Sequence, residues 1–96
     1  MVILNVFFDV EQKHEAEFIK LLNHMVVESN KEEGCSYYQL WRSATDPYHY
    51  SLIEYWDSQE LLDAHGRTEH WINFNDTVNG FLKQPYDERH YAQIPA

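Results

Sequence analysis

Residues 53–74 read IEYWDSQELLDAHGRTEHWINF. The first part is rich in β-branched and aromatic residues, which predicts a strand, and Asp57 followed three residues later by Glu60 is typical of a helix start. Gly66 interrupts the helix that follows, and Thr68 is suited to cap a further helix. This stretch therefore predicts a strand that passes directly into a split helix.

The segment before this stretch predicts a strand and a helix. Val2–Val10 is predicted to be a strand whose two faces are both largely apolar, so both faces should be covered. Gln12–Ser29 is predicted to be an amphipathic helix, because its apolar residues recur at helical spacing. Gly34 then suits the left-handed turn that follows such a helix.

The order of the predicted elements indicates an α+β fold. Cys35–Ser43 and Tyr48–Trp56 are predicted strands that form a hairpin, and Tyr86–Ile94 is the last predicted strand. The order β-α-β-β-α-β is that of the ferredoxin-like fold, an antiparallel sheet with helices on one face. We expect residues 1–96 to form a single domain. We also expect the uncovered sheet face to pack against a second copy of the chain.

Composition and charge exclude several classes of partner. The net charge of −9 argues against nucleic acid and against anionic membrane surfaces. The apolar run at the N-terminus is too short for a signal peptide or a membrane helix. Cys35 is the only cysteine, which excludes an internal disulfide and favours a cytoplasmic location. We expect Cys35 to be a small buried residue rather than a nucleophile.

An ordered set of short motifs resembles the antibiotic biosynthesis monooxygenase domain over roughly residues 2–82. These motifs are Glu33-Gly34-Cys35, Asp46-Pro47, residues 53–58, residues 62–65 and His70-Trp71. The resemblance implies a dimeric α+β barrel with a cavity in each subunit between sheet and helices. It also implies one of several activities: cofactor-free oxidation of quinols or anthrones, isomerisation of a small phosphorylated carbonyl compound, or haem degradation.

No cofactor is predicted. The tryptophan and the iron-ligating histidine of the haem-degrading branch fall at His65 and Asn75 here, although Asn5 coincides with an asparagine of that branch. The sequence carries no glycine-rich phosphate loop and no motif that suggests a flavin or nicotinamide site.

His65, His70 and Asn5 are the predicted catalytic residues. A histidine with a pKa near neutrality suits the removal of a phenolic or α-carbonyl proton, and the two histidines compete for this role. The alternatives are a helix cap for His65 and a surface position for His70. Asn5 interrupts an apolar strand, and its amide could hold a substrate oxygen or dioxygen, or could bond a neighbouring loop.

A metal site is not predicted. His65 and His70 are five residues apart, which separates them by about 140° on a helix, whereas zinc motifs prefer a spacing of four. No cysteine or third ligand is expected beside them.

The substrate-binding residues are predicted from burial and aromatic character. A buried carboxylate at Glu54 must be paired or protonated, and it could orient a histidine or form an ion pair with Arg42 across the hairpin. The remaining predicted lining residues are Tyr37, Tyr50, Trp56, Trp71, Phe74 and His24. Core packing is the alternative for Trp71 and Phe74, and exposure to water is the alternative for His24.

The predicted function is a cofactor-independent monooxygenase that oxidises a small quinol-like or anthrone-like aromatic compound with dioxygen. Two alternatives stay open. The first is an isomerase of a small phosphorylated carbonyl compound, which would require a cation such as Arg42, Arg67 or Arg89 in its cavity. The second is a homodimer that binds a small molecule without catalysis.

Overall fold

A computed structural model describes all 96 residues. The strands and α-helices, in chain order, are β1 (Val2–Asp9), α1 (Glu15–Ser29), β2 (Cys35–Arg42), β3 (His49–Trp56), α2 (Gln59–His65), α3 (Glu69–Thr77) and β4 (Asp87–Ala92). Two short 3₁₀ segments, Gln12–His14 and Val78–Phe81, precede α1 and follow α3.

The sheet confirms the predicted ferredoxin-like architecture. The strand order is β2-β3-β1-β4, and every neighbouring pair is antiparallel. Strand β1 ends one residue earlier than predicted, because Val10 forms only an isolated bridge to Leu82. None of the helices is long and apolar enough to cross a membrane.

The two faces of the sheet differ in their covering. Leu4, Val6 and Phe8 of β1 are buried against the helices, and the Phe8 ring meets the Phe18 ring of α1 edge to face. The opposite face leaves large apolar side chains exposed, namely Phe7, Trp41 and Tyr91. Within one chain this face has no cover, and its packing against a second copy stays a prediction.

The caps of α2 and α3 fix the junction between these helices. Ser58, and not Asp57 as predicted, caps α2 by accepting a hydrogen bond from the Leu61 N–H at 3.2 Å. The Asp57 backbone N–H extends the sheet pairing by donating to the Gly34 carbonyl at 2.8 Å. Thr68 caps α3 as predicted and accepts from the Trp71 N–H at 3.3 Å.

Gly34 is required at the turn that packs against α2. Its φ of +83° lies in the left-handed region, where side chains are disfavoured. A Cβ at this position would lie 2.3 Å from Cδ1 of Leu61. The close approach brings the turn between α1 and β2 up against the α2–α3 junction.

Candidate functional site

A cavity of about 260 Å³ lies between the sheet and the α2–α3 junction. Glu54 of β3 and His65 of α2, two of the predicted site residues, both line it. A wider groove of about 400 Å³ at the other end of the sheet is lined by Tyr50 but by no other predicted site residue. The smaller cavity is therefore the candidate site, because it joins a buried acid and a buried imidazole.

Glu54 is a buried carboxyl group without a cation. Its side chain faces the helices, and Oε1 accepts a hydrogen bond from Trp56 Nε1 at 3.0 Å. Burial raises the pKa of Glu54 from 4.5 to about 8; the Trp56 hydrogen bond opposes this effect, and the charges of Glu88 and Glu32 add to it. The group is thus mainly protonated at neutral pH.

The predicted ion pair between Glu54 and Arg42 does not form. Glu54 pairs with Tyr38 in the sheet register, whereas Arg42 pairs with Tyr50 further along the hairpin. Arg42 is exposed, and its Nε donates to the Tyr50 hydroxyl at 3.1 Å. The four-residue offset along the strand separates the two charges.

His65 is a buried imidazole held on both sides. The ring packs against Trp56 with a centroid distance of 4.6 Å and against Tyr38 at 5.6 Å. Its Nδ1 lies 2.6 Å from Oε2 of Glu32, and its Nε2 lies 4.0 Å from Oε1 of Glu54. His65 is not the cap of α2, because Gly66 occupies that position.

Burial keeps the His65 imidazole neutral. It lowers the pKa of His65 below its ordinary 6.5, while the hydrogen bond and the charge of Glu32 act in the opposite direction. Because an ionised carboxylate only accepts hydrogen bonds, Nδ1 carries the ring proton and donates a hydrogen bond to Glu32. The lone pair of Nε2 is then directed towards Glu54 and the cavity.

Glu32 is a candidate site residue that was not predicted from the sequence. Its Oε2 lies 2.6 Å from His65 Nδ1 and 2.7 Å from His70 Nε2, so a single oxygen joins both imidazoles. The expectation that no third ligand lies beside the two histidines is therefore wrong. The break between α2 and α3 at Gly66 lets the rings approach to a centroid distance of 5.7 Å. The only sequence signal for Glu32 was its place beside the Glu33-Gly34-Cys35 motif.

The rim of the cavity contains charged residues, of which only Arg67 was considered from the sequence, as a cation for the isomerase alternative. Arg67 follows α2, whereas Glu88 and His90 lie on β4. The register pairs Glu88 with Val6 and His90 with Leu4, which places both on the helix-facing side of the sheet. Glu88 and His90 alternate along β4 and so share one face, but identifying that face requires the register, which the sequence does not give.

The predicted aromatic residues occupy different environments. Trp71 lines the cavity, whereas Trp56 is fully buried behind His65. Phe74 is a core residue whose ring packs against Phe8 and Tyr86. Tyr50 is buried at the other end of the sheet, where its hydroxyl donates to Oε2 of Glu15 at 2.7 Å.

Three further predicted residues lie away from the cavity within one chain. Asn5 is on the open sheet face, and its buried Oδ1 has no hydrogen-bond partner. Tyr37 is on the same face and accepts a hydrogen bond from Trp41 Nε1 at 3.1 Å. His24 is exposed on α1, where it borders a shallow groove with His70.

Comparisons with known proteins agree with this architecture. The family model described as antibiotic biosynthesis monooxygenase matches residues 1–77. "Putative monooxygenase YcnE" of Bacillus subtilis (strain 168) is 24% identical over 87 residues, which cover 91% of this chain and 92% of that protein. "Putative monooxygenase Rv0793" of Mycobacterium tuberculosis is 34% identical over 65 residues, which cover 68% of this chain and 63% of that protein.

Solved structures share the fold over nearly the whole chain. The structure of Rv0793 superposes with a TM-score of 0.93 at 26% identity and covers 99% of this chain and 96% of that chain. A conserved protein from Methanosarcina mazei Go1 has a TM-score of 0.93 at 22% identity, with 97% and 92% covered. Because the family model spans most of the sequence, the chain belongs to the antibiotic biosynthesis monooxygenase family.

Proposed function

We propose that the protein is a cofactor-independent monooxygenase that oxidises a small quinol-like or anthrone-like aromatic compound with dioxygen. Membership of the family and the names of the relatives support a monooxygenase-like role. The observation that carries the proposal is the neutral His65 imidazole, whose Nδ1 is bound by Glu32 and whose Nε2 is free at the edge of the cavity. Such a base is required to remove the hydroxyl proton of an electron-rich aromatic ring.

In the proposed reaction, Nε2 of His65 takes the proton of the substrate hydroxyl, and the resulting anion gives electrons to dioxygen. One oxygen atom is added to a ring carbon and the other leaves as water. The substrate supplies all four electrons, so the reaction needs no external reductant. Glu32 accepts the hydrogen bond of the imidazolium formed in the first step and stabilises its charge.

Glu54 is proposed to act as a hydrogen-bond donor to the substrate. Trp56 Nε1 occupies Oε1, which leaves Oε2 to carry the proton in the protonated acid. A neutral acid inside the cavity can donate to an oxygen on which negative charge develops. Trp71 supplies an apolar ring surface at the same cavity.

The charges of the cavity discriminate between this reaction and the isomerase alternative. Arg67 offers the cation that a phosphorylated carbonyl compound would require. However, Glu88 and Asp63 line the same cavity and would repel an anion. We therefore favour a neutral aromatic substrate, and turnover of a phosphorylated ketone under nitrogen would support the isomerase instead.

We further propose that two copies pack through their open sheet faces. This arrangement would cover the exposed rings of Phe7, Trp41 and Tyr91 and would offer a partner to Oδ1 of Asn5. Sedimentation equilibrium should report twice the mass of one chain. A monomer at micromolar concentration would contradict this part of the proposal.

The test of the reaction is oxygen consumption with menadiol or an anthrone, compared with the spontaneous rate and with an anaerobic control. His65→Ala should lower kcat by about 10²-fold to 10⁴-fold, the usual contribution of a general base. His14→Ala is the matched control, because His14 lies before α1 and away from the cavity. A rate no higher than the spontaneous one, or equal rates for wild type and His65→Ala, would refute the proposal.

A further inference from the structure

Glu32, His65 and His70 hold three potential metal-ligand atoms close together. The carboxylate oxygen and the two imidazole nitrogens all lie within 4.8 Å of one another. Two histidines and one carboxylate form a donor set that suits Zn²⁺ and related divalent transition metals. We propose that these three residues form a binding site for one divalent transition-metal ion, with Zn²⁺ as its probe.

Coordination requires two adjustments: the Glu32 carboxylate must withdraw, and the histidine nitrogens, which lie within 4.8 Å of each other, must come to about 3.3 Å apart. Zn²⁺ bonds to nitrogen and oxygen of about 2.0–2.2 Å place tetrahedral ligand atoms about 3.3 Å apart. The present nitrogen–oxygen distances are 2.6 and 2.7 Å, so the Glu32 carboxylate must withdraw by less than about 1 Å. Glu32 lies in a turn and His70 in the first turn of α3, and their side chains are 15% and 14% exposed, compared with 3% for His65. His65 is fixed by the rings around it and defines the site.

A second carboxyl group supports the ligand nitrogen of His65. When a metal takes Nδ1, the ring proton moves to Nε2, which lies 4.0 Å from Oε1 of Glu54. A metal-bound histidine usually directs its other N–H to a carboxylate or carbonyl oxygen, and Oε1 of Glu54 must come about 1 Å closer to accept this hydrogen bond. The structure thus places three ligand atoms and a candidate outer partner near one another.

Of the three ligands, only His70 borders a groove on the outer side of the cluster. A groove beside His70 is lined by Glu28 and Glu69 as well as by His24 and Asn73. These acids, together with the net charge of −9, raise the local concentration of cations. The three protein ligands leave a fourth position of a tetrahedral ion to water.

Metal binding should switch off the proposed base. An ion on Nδ1 of His65 forces the proton onto Nε2, which can then no longer accept one from the substrate. This consequence rests on the proposed function, whereas the binding itself does not. We therefore expect Zn²⁺ to inhibit oxidation at the concentrations at which it binds.

The binding test uses tag-free protein after treatment with a chelator. Zn²⁺ is titrated by calorimetry and Co²⁺ by its visible absorption, which is intense only in four-coordinate sites. We expect one ion per chain. His70→Ala and Glu32→Gln should each weaken the binding of both ions by about 10-fold to 100-fold or more, since even outer-shell losses have effects of this size.

His24→Ala is the matched control, because this exposed histidine borders the same groove but is not part of the cluster. It should bind both ions as wild type does. The circular dichroism spectrum of His70→Gln should match that of wild type. Weaker metal binding by this variant then reports the loss of a ligand and not a loss of fold. Absence of Zn²⁺ binding, or equal affinities for wild type and His70→Gln, would overturn the metal site. Binding without any oxidation would instead leave the site intact and refute the proposed reaction.

Discussion

Replacing Glu54 with glutamine should stabilise the folded protein, by an amount that grows with pH. The pKa of Glu54 is raised from 4.5 to about 8, mainly by burial. Between these values the folded chain keeps the proton, whereas the unfolded chain has lost it. Stability is therefore lost as the pH rises through this window, and glutamine removes the effect because it cannot ionise.

The size of the effect follows from the width of this window. One pKa unit corresponds to about 1.4 kcal/mol, so the free energy of unfolding of the variant relative to wild type should rise by that amount per pH unit. From about pH 5 to about pH 8 the gain reaches about 4 kcal/mol, and it levels off at higher pH. At pH 5 the difference should be small, because glutamine preserves the acceptor for Trp56 Nε1–H.

The assay is urea unfolding of both proteins at a series of pH values and at one fixed protein concentration. Glu60→Gln, which replaces an exposed acid on α2, is the matched control for the loss of one carboxyl group. If the Glu54→Gln difference were the same at pH 5 and pH 8, Glu54 would be ionised in the folded protein. The cavity would then be wetter than its burial indicates, and the role of Glu54 as a neutral donor would be wrong.

Three further predictions concern the surroundings of the site. Glu32→Gln should lower kcat by about 10-fold to 100-fold. The acid limb of its pH–rate profile should also move to lower pH, because the Glu32 charge raises the pKa of His65 in the wild type. A merely structural loss would leave the position of that limb unchanged. Gly34→Ala should destabilise the protein by about 1–3 kcal/mol in urea unfolding, because of its φ of +83° and the approach of Leu61; a variant as stable as wild type would contradict this. Cys35 is only partly buried and not fully buried as predicted, but this burial raises its pKa to about 11. It should therefore react with iodoacetamide at pH 8 far more slowly than free cysteine, and an equal rate would contradict the raised pKa.

The architecture could be predicted because local signals agree along the chain. A run of β-branched and aromatic residues marks β1, and Gly66 with Thr68 marks the division between α2 and α3. The cap of α2 could not be predicted, since Asp57 and Ser58 are both good caps. In the structure Ser58 is the cap, and the Asp57 N–H donates to the carbonyl of Gly34, a residue distant in sequence.

The site was predicted less completely because it is assembled by long-range contacts. Glu32 lies 33 residues before His65, and only the folded turn beside α2 brings them together. Asn5 illustrates a second difficulty. Both faces of β1 are apolar enough to be buried, so the sequence does not say which face borders the cavity. The register answers this question by placing Leu4 with Glu54 on the helix side and Asn5 on the other.

The two carboxyl groups around His65 have different electrostatic roles. Burial raises the pKa of Glu54 and lowers the pKa of His65, so the pair 4.0 Å apart is neutral at rest and needs no counterion. A proton taken from the substrate turns His65 into an imidazolium, and its charge is met by Glu32 at 2.6 Å rather than by Glu54. Glu54 therefore does not need to ionise during the proposed reaction and remains a donor inside the cavity. A single carboxylate could not both balance the imidazolium and donate a hydrogen bond to the substrate.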